Sequence, residues 1–556
     1  MTGSDLTVGR SAITDDHGRF TILRMPATRV TITATKAGYV PGAYGAVRPG
    51  RPGTPAVLRT GETLQTIIRL TRAAVLTGTI RDDRGEPIQG LRVFALNALN
   101  PRAPEPARDP TLRMAETDDR GVYRIHELTP GEYIIAAVMS QTITGNVTRR
   151  PAADTDALLA WLKQRGQAPA GSTPALPEPA SSSQVVPAPS YYPGTAQLPS
   201  AGRITLGAGE VRGGLDFVGI SVPVTTIEGT VVANGGLPGS VSLSITPVET
   251  LQFFALGGGA PQLTQPPGAD GRFEYSSVLP GRYVITARGN AAPGSAGRGT
   301  GPGAFADNQT TSMYSVERVE VTGQPAAGVT LHLRPGSRFA GRVVFEESAA
   351  PVLPGSAVRV ALVPREGGRN GNTFSRPGPV TVSENGTFEI VGVPPGEYTL
   401  SINTQAAAGQ RWWFRSAASG EQDLLDTGLS VQPGADVIGV VLTASDRHSE
   451  ISGTLQSAMG VPAPEYFVIA MPADRAQWVE GSRRVKSTRP GTDGTFSFVD
   501  LPAGEYLLVA LTDVEPNEWQ KPSFLAAIAP TGVRITLAHG ERKQQDLRIS
   551  GRSTSR

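Results

Sequence analysis

The chain carries five histidines (His17, His126, His332, His448 and His539) and no cysteine. A zinc hydrolase needs two ligands held close together and a carboxylate base beside them. None of the histidines stands in a His-Glu-x-x-His or His-x-x-Glu pattern, and they are far apart. Without thiols there is no disulfide framework, thiolate metal site, iron–sulfur cluster or cysteine nucleophile. No lysine follows a glycine, so the phosphate loop of nucleotide hydrolases is missing, and there is no Gly-x-Ser-x-Gly nucleophile elbow. The runs Gly257–Gly259 and 297–301 lack the strand–helix setting that phosphate binding needs and read as loops. The pairs Asp15-Asp16 and Asp118-Asp119 offer too few oxygens for calcium, which takes about six to eight. They read as turn residues. No catalytic, cofactor or metal site is expected.

Aromatic side chains remain. An exposed ring with a polar edge is suited to an interface or a sugar. The candidates are Trp412, Trp413 and Phe414 in Arg411-Trp-Trp-Phe-Arg415, and Tyr191-Tyr192 ahead of Pro193-Gly194. In a strand, Trp412 and Phe414 share one face and Trp413 takes the other, so at least one of those faces is not simply core. Packing within or between modules competes with sugar binding at both places.

The elements that must position these rings come from an internal repeat, which occurs five times. Each copy is a turn ending in glycine, an alternating strand, a Pro-Gly corner and a tyrosine. The second reads Thr117-Asp-Asp-Arg-Gly-Val-Tyr-Arg-Ile-His-Glu-Leu-Thr-Pro-Gly-Glu-Tyr133. The turn glycine and the corner residue are twelve apart at 121→133, 271→283, 386→398 and 494→506. A degenerate copy, Gly18→Val30, keeps the same spacing. Asp/Asn-Gly supplies the left-handed residue a hairpin turn needs. Tyr123 and Ile125 then point one way while Arg124 and His126 point the other, which is the period of a half-buried strand. The corner tyrosine can bury its ring and send its hydroxyl to nearby backbone.

Four copies are preceded by an opening strand of the form apolar-x-Gly-x-apolar, at Leu76–Ile80, Ile227–Val231, Phe339–Val343 and Ile451–Leu455. Closing hairpins are expected over 204–217, 319–333, 429–442 and 535–549. Each full module then holds about seven strands in roughly 100 residues, which is sandwich size. The chain reads as an all-β tandem array of about five antiparallel β-sandwich modules of immunoglobulin or transthyretin type, the first incomplete. The boundaries fall at 1–73, 74–223, 224–336, 337–446 and 447–551.

The stretch Leu76-Thr-Gly-Thr-Ile-Arg-Asp-Asp-Arg-Gly-Glu-Pro-Ile-Gln-Gly-Leu-Arg-Val-Phe-Ala95, with the turn and corner that follow it, resembles the carboxypeptidase regulatory-like domain. The third to fifth modules match at turn and corner, the first over its second half. That resemblance implies a transthyretin-like sandwich of the carbohydrate-binding-like fold class and a non-catalytic, usually exported, accessory role. A fibronectin type III array, which also uses a Leu-x-Pro-Gly corner, is the alternative. Some relatives of this sandwich carry a Lys–Asn isopeptide staple, which needs a lysine on the opening strand. None of the four has one, so no staple is expected.

Composition fits such an array. The 556 residues are too many for one core, and Gly 66 with Pro 47 suits many short strands and tight turns. Charged residues make up only 18%, against a charge-swollen disordered chain. A net charge of +2 with no basic cluster argues against nucleic acid. No apolar run is long enough to span a membrane as a helix. The stretch 166–190, rich in Pro, Ala and Ser, reads as a disordered or extended linker, and Asp154–Arg165 as a helix whose apolar stripe of Leu158, Trp161 and Leu162 packs on its own module, with docking of a partner as the alternative. A structural or interaction protein of the bacterial envelope or exterior is expected, secreted, periplasmic or at the cell surface, with polysaccharide or an envelope protein as partner. Carbohydrate binding is the alternative function. The opening glycine of the first module would lie some 25 residues before Met1, and no secretion signal is present. Both lead to the expectation that an N-terminal part is missing.

Overall fold

The computed structural model describes residues 1–3, 9–98, 112–139, 148–149, 152–167, 183–248, 262–290, 313–346, 354, 357–365, 377–404, 412–515 and 517–549. It is a tandem array of antiparallel β-sandwiches. Modules 2 to 5 repeat one plan. The opening strand (Ala74–Arg81, Thr225–Ala233, Ser337–Phe345 or Glu450–Gln456) lies inside a sheet. On one side it pairs antiparallel with the strand that follows the turn glycine: Val122–Leu128, Arg272–Val278, Thr387–Val393 or Thr495–Val499. On the other side it pairs parallel with the end of the module. The facing sheet is built on the corner-tyrosine strand, which pairs with Leu91–Asn97, Ser240–Pro247, Val358–Pro364 or Phe467–Pro472.

The expected closing hairpins are instead arches in modules 2, 4 and 5. Their first arm joins the corner-tyrosine strand, as Tyr398↔Leu429 and Tyr506↔Ile535 show. Their second arm crosses to the opening strand, as in Arg342↔Val441. The connection bridges the two layers and closes the core. In module 3 the two arms also pair with each other at Met313↔Pro335, which joins both layers into one seven-stranded sheet.

The turns behave as the sequence dictates. Gly121, Gly271, Gly386 and Gly494 adopt φ of 73°, 75°, 82° and 80°. The preceding carboxylate or amide accepts from the backbone; Asp118 Oδ1 takes both Arg120 N and Val122 N. That pairing, led by the Val122 bond, holds the Asp118 carboxyl below its ordinary value. The first aspartate of each acidic pair thus does turn work, since Asp15 Oδ1 likewise takes His17 N and Arg19 N. The corner tyrosines are buried, and each hydroxyl donates to the carbonyl four residues back: Tyr133 to Thr129 (2.8 Å), Tyr283 to Leu279 (2.8 Å), Tyr398 to Pro394 (2.9 Å) and Tyr506 to Pro502 (2.6 Å). Val30 is buried at the same place in module 1.

A second left-handed residue recurs six positions after each turn glycine. It is Arg24, Glu127, Ser277, Gly392 and Asp500, with φ of 58°, 59°, 57°, 69° and 59°. The ladder to the opening strand shifts register there in modules 2 to 4, so the residue makes a bulge that turns the chain toward the corner. Only module 4 uses the residue type that takes this conformation without strain.

Modules 2 and 5 also bury the outer face of their corner-tyrosine sheet. In module 5 every residue of Phe467–Pro472 is buried, because the helix Pro522–Ile528 lays Phe524, Leu525 and Ile528 against that face with Trp478. This short helix, opened by a proline at its first turn, is not in the sequence reading. The helix at Ala152–Gln167 does form; of its apolar stripe, Leu158 and Trp161 are half-buried and Leu162 is about half exposed. Module 1 has a small core of Val30, Ile32 and Ala56.

Two substitutions test this plan in opposite directions. Ser277→Gly removes the cost of a left-handed L-residue and is expected to stabilise module 3 by about 0.5–1 kcal/mol after the entropy of the unfolded glycine is counted. Gly453→Ala puts a methyl 3.1 Å from Phe496 Cζ and into the Gln545 carbonyl, and is expected to cost about 2–3 kcal/mol. Calorimetry should show the module 3 transition rising and the module 5 transition falling.

Candidate functional site

The candidate aromatics sit in two settings. Tyr191 is 1% exposed and fills the outer core of module 2 with Phe94, Leu96 and Ile134. Tyr192, half-buried, packs edge-on against Phe217 at 6.2 Å.

In module 4 the alternation holds. Trp412 is buried with Ala444, Phe345 and Phe414, its ring edge-on to Phe345 at 5.0 Å. Trp413 points the other way, toward module 5. Its Nε1 donates to the Arg447 carbonyl (3.0 Å), and its ring lies 6.4 Å from that of His539. His539 Nε2 pairs with Glu346 (2.8 Å), and Glu346 also meets Arg415 (3.1 Å). Desolvation works to raise the Glu346 carboxyl. Hydrogen bonds from Ser445 and His539, with the charge of Arg415, outweigh it and hold the group below its ordinary value.

A stronger polar cluster lies at the other flank of this strand. Arg483 of module 5 reaches four acceptors of module 4: Asp426 Oδ1 (2.6 Å), Asp423 Oδ2 (2.8 Å), and the carbonyls of Phe414 (3.1 Å) and Arg415 (2.9 Å). Arg484 donates to Asp426 Oδ2 (2.8 Å) and to the Ala503 carbonyl (3.0 Å). It also reaches the hydroxyl of the corner residue Tyr506 at 3.4 Å. Asp426 is therefore shared by two guanidiniums, and its charge is matched on both oxygens. Burial pushes the Asp426 carboxyl up, but the hydrogen bonds and charges of Arg483 and Arg484 prevail and hold it low. Burial also pushes the Tyr506 hydroxyl up to about 12, so it remains a donor.

The sequence reading identified the aromatics of this site and missed its charges. The signal present was an Arg-Arg pair at 483–484 and two aspartates three apart, Asp423 capping and Asp426 within the short helix Leu424–Thr427. Nothing in the spacing says that they meet. Chemically the cluster is an ion-pair joint between two sandwiches. Among the described residues no group of three or more His, Cys, Asp and Glu could hold a metal.

No family model and no curated protein matches the chain. Among solved structures, the Bacillus anthracis TIE protein aligns with 93% of this chain and 72% of its own at 10% identity and a TM-score of 0.14. The full-length RrgB pilus protein from Streptococcus pneumoniae aligns with 87% of this chain and 99% of its own, at 9% identity and a TM-score of 0.16. Two B repeat units of the collagen binding protein of Staphylococcus aureus align with 80% of this chain and 94% of theirs, at 9% identity and a TM-score of 0.13. At such scores the assignment of tandem β-sandwiches rests on the strand pairing itself.

The joint should be acid-sensitive. Because the folded Asp426 carboxyl lies below its unfolded value, its contribution is full above the unfolded value and fades as pH falls through the lower, folded one. Asp426→Asn is expected to remove that contribution at neutral pH, costing about 2–3 kcal/mol for a buried charged hydrogen bond. Calorimetry of modules 4 and 5 from neutral to acid pH checks it: the wild-type transition falls toward that of the variant, which changes less with pH.

Proposed function

We propose that this chain is a non-catalytic structural and interaction protein of the bacterial cell envelope or exterior, built from sandwiches of the carboxypeptidase regulatory-like type. Modules bounded near 73, 223, 336 and 446 act as spacers and as adhesive surface. The observation that carries the reading is the joint between modules 4 and 5. There the most concentrated charge of the site, Arg483 and Arg484 with Asp423 and Asp426, is engaged in fixing one sandwich to the next. A bound partner would be an envelope protein that meets the outer faces of such a fixed array.

A second reading, carbohydrate binding, is favoured by one feature: Trp413, a half-buried indole beside His539 at a module end. The two readings separate in affinity electrophoresis through gels cast with bacterial polysaccharides. The structural reading expects unretarded migration, and no hydrolysis of peptide or glycan that persists through repurification. Retardation that disappears in Trp413→Ala would replace it with the sugar-binding one.

A further inference from the structure

The first and fifth modules touch. Arg489, on the loop after the strand Lys486–Thr488, is 5% exposed. Its guanidinium stacks over the Phe467 ring at 5.2 Å. Its described hydrogen bonds all go to carbonyl oxygens: Pro464 of its own module (3.2 Å), Gly45 (3.0 Å) and Pro52 of module 1. A buried arginine is costly unless its donors are met; the charge of Glu465 favours this one, and its two terminal nitrogens find carbonyls while Nε finds none. Here two of the three carbonyls that meet them come from a segment more than 430 residues earlier in the chain.

The rest of the contact is equally directional. Thr492 N donates to the Pro55 carbonyl (3.0 Å), and Val57 N donates to Thr492 Oγ1 (3.1 Å). Thr54 Oγ1 donates to the Pro464 carbonyl (3.2 Å), and Arg29 reaches the carbonyl of Arg489. At the rim, Arg48 and Arg51 pair with Asp513 and Glu515. The docking loop is held in shape by its own bond from Thr54 N to the Tyr44 carbonyl (2.7 Å) and by the left-handed Gly45 (φ 68°). A desolvated arginine at the centre, backbone pairing beside it and screened charges outside are the anatomy of a specific interface.

We propose that the Arg489 face of the fifth module is a docking site for a looped, carbonyl-presenting segment, and that its occupant is Gly45–Val57 of the same chain, which latches the first module to the fifth. Modules 1 to 5 then form a closed loop of sandwiches. Releasing the latch lengthens it and uncovers the face around Arg489 and Phe467.

The absence of cysteine makes a direct test possible. A Cβ added at Gly491 would lie 2.8 Å from Cγ2 of Val57, within reach of disulfide geometry. The double variant Val57→Cys, Gly491→Cys is expected to oxidise, in dilute solution, to a covalently closed monomer that migrates fast on a non-reducing gel. Adding Arg489→Gln, or Thr54→Val from the other side, should slow closure by about tenfold, as loss of a central contact does. Using a variant on each module separates loss of the latch from misfolding of either one. No closure in a folded double variant, covalent oligomers in place of monomer, or closure at an unchanged rate in both added variants would overturn the proposal.

Discussion

The architecture depends on one close approach, that of the closing strand to the opening strand at a glycine. Gly78, Gly229, Gly341 and Gly453 stand at the same point of their modules, where any Cβ would run into a carbonyl of the parallel closing segment: Leu215, Val329, Val440 or Gln545. The same missing side chain leaves room for the ring of the next strand. A Cβ would come within 2.5–3.1 Å of Phe273, Phe388 or Phe496, and 2.9 Å from the Tyr123 hydroxyl. That ring is buried in all four modules. One residue type thus lets the last strand reach the first and lets the core close beneath them. Parallel pairing between chain-distant strands is entropically costly to assemble, so the contact that secures it governs whether a module closes at all.

What differs between modules lies on the outer faces of the corner-tyrosine sheets. Modules 2 and 5 cover theirs, with Tyr191 in one and the helix Pro522–Ile528 in the other. Their strands are accordingly apolar at successive positions, as in Phe467-Val-Ile-Ala-Met471, where a sheet with one wet face would alternate. Charge then acts at the edges. Arg483 and Arg484 fix module 5 to module 4 through Asp423 and Asp426, and Arg484 reaches through to the corner tyrosine of its own core. Joint and core are therefore linked at Tyr506.

Local chemistry was legible in the sequence and distant chemistry was not. The twelve-residue spacing from turn glycine to corner tyrosine sets both the turn and the tyrosine corner, because every contact in it falls within a few residues. The left-handed position six after the turn was written openly only once, as Gly392; Glu127, Ser277 and Asp500 conceal it because strain there is tolerated within a bulge. The closing segments were read as hairpins since two apolar runs around a Gly turn look alike whether they pair or part between layers. The aromatics at 191–192 and 412–414 could be found as candidates but not placed, for a ring's exposure is decided by what packs on it. Trp413 meets His539, and Arg483 meets Asp423, across distances no local pattern encodes.

Amide hydrogen exchange resolved along the whole chain tests the central constraint most directly. The account predicts that Ile227–Val231, Phe339–Val343 and their counterparts in modules 2 and 5 exchange slowest. Their parallel closing partners, such as Val440–Leu442 and Leu331–Leu333, should be protected to a similar degree. Closing segments that exchange far ahead of the opening strands they cover would contradict it, showing that the module holds together without that contact.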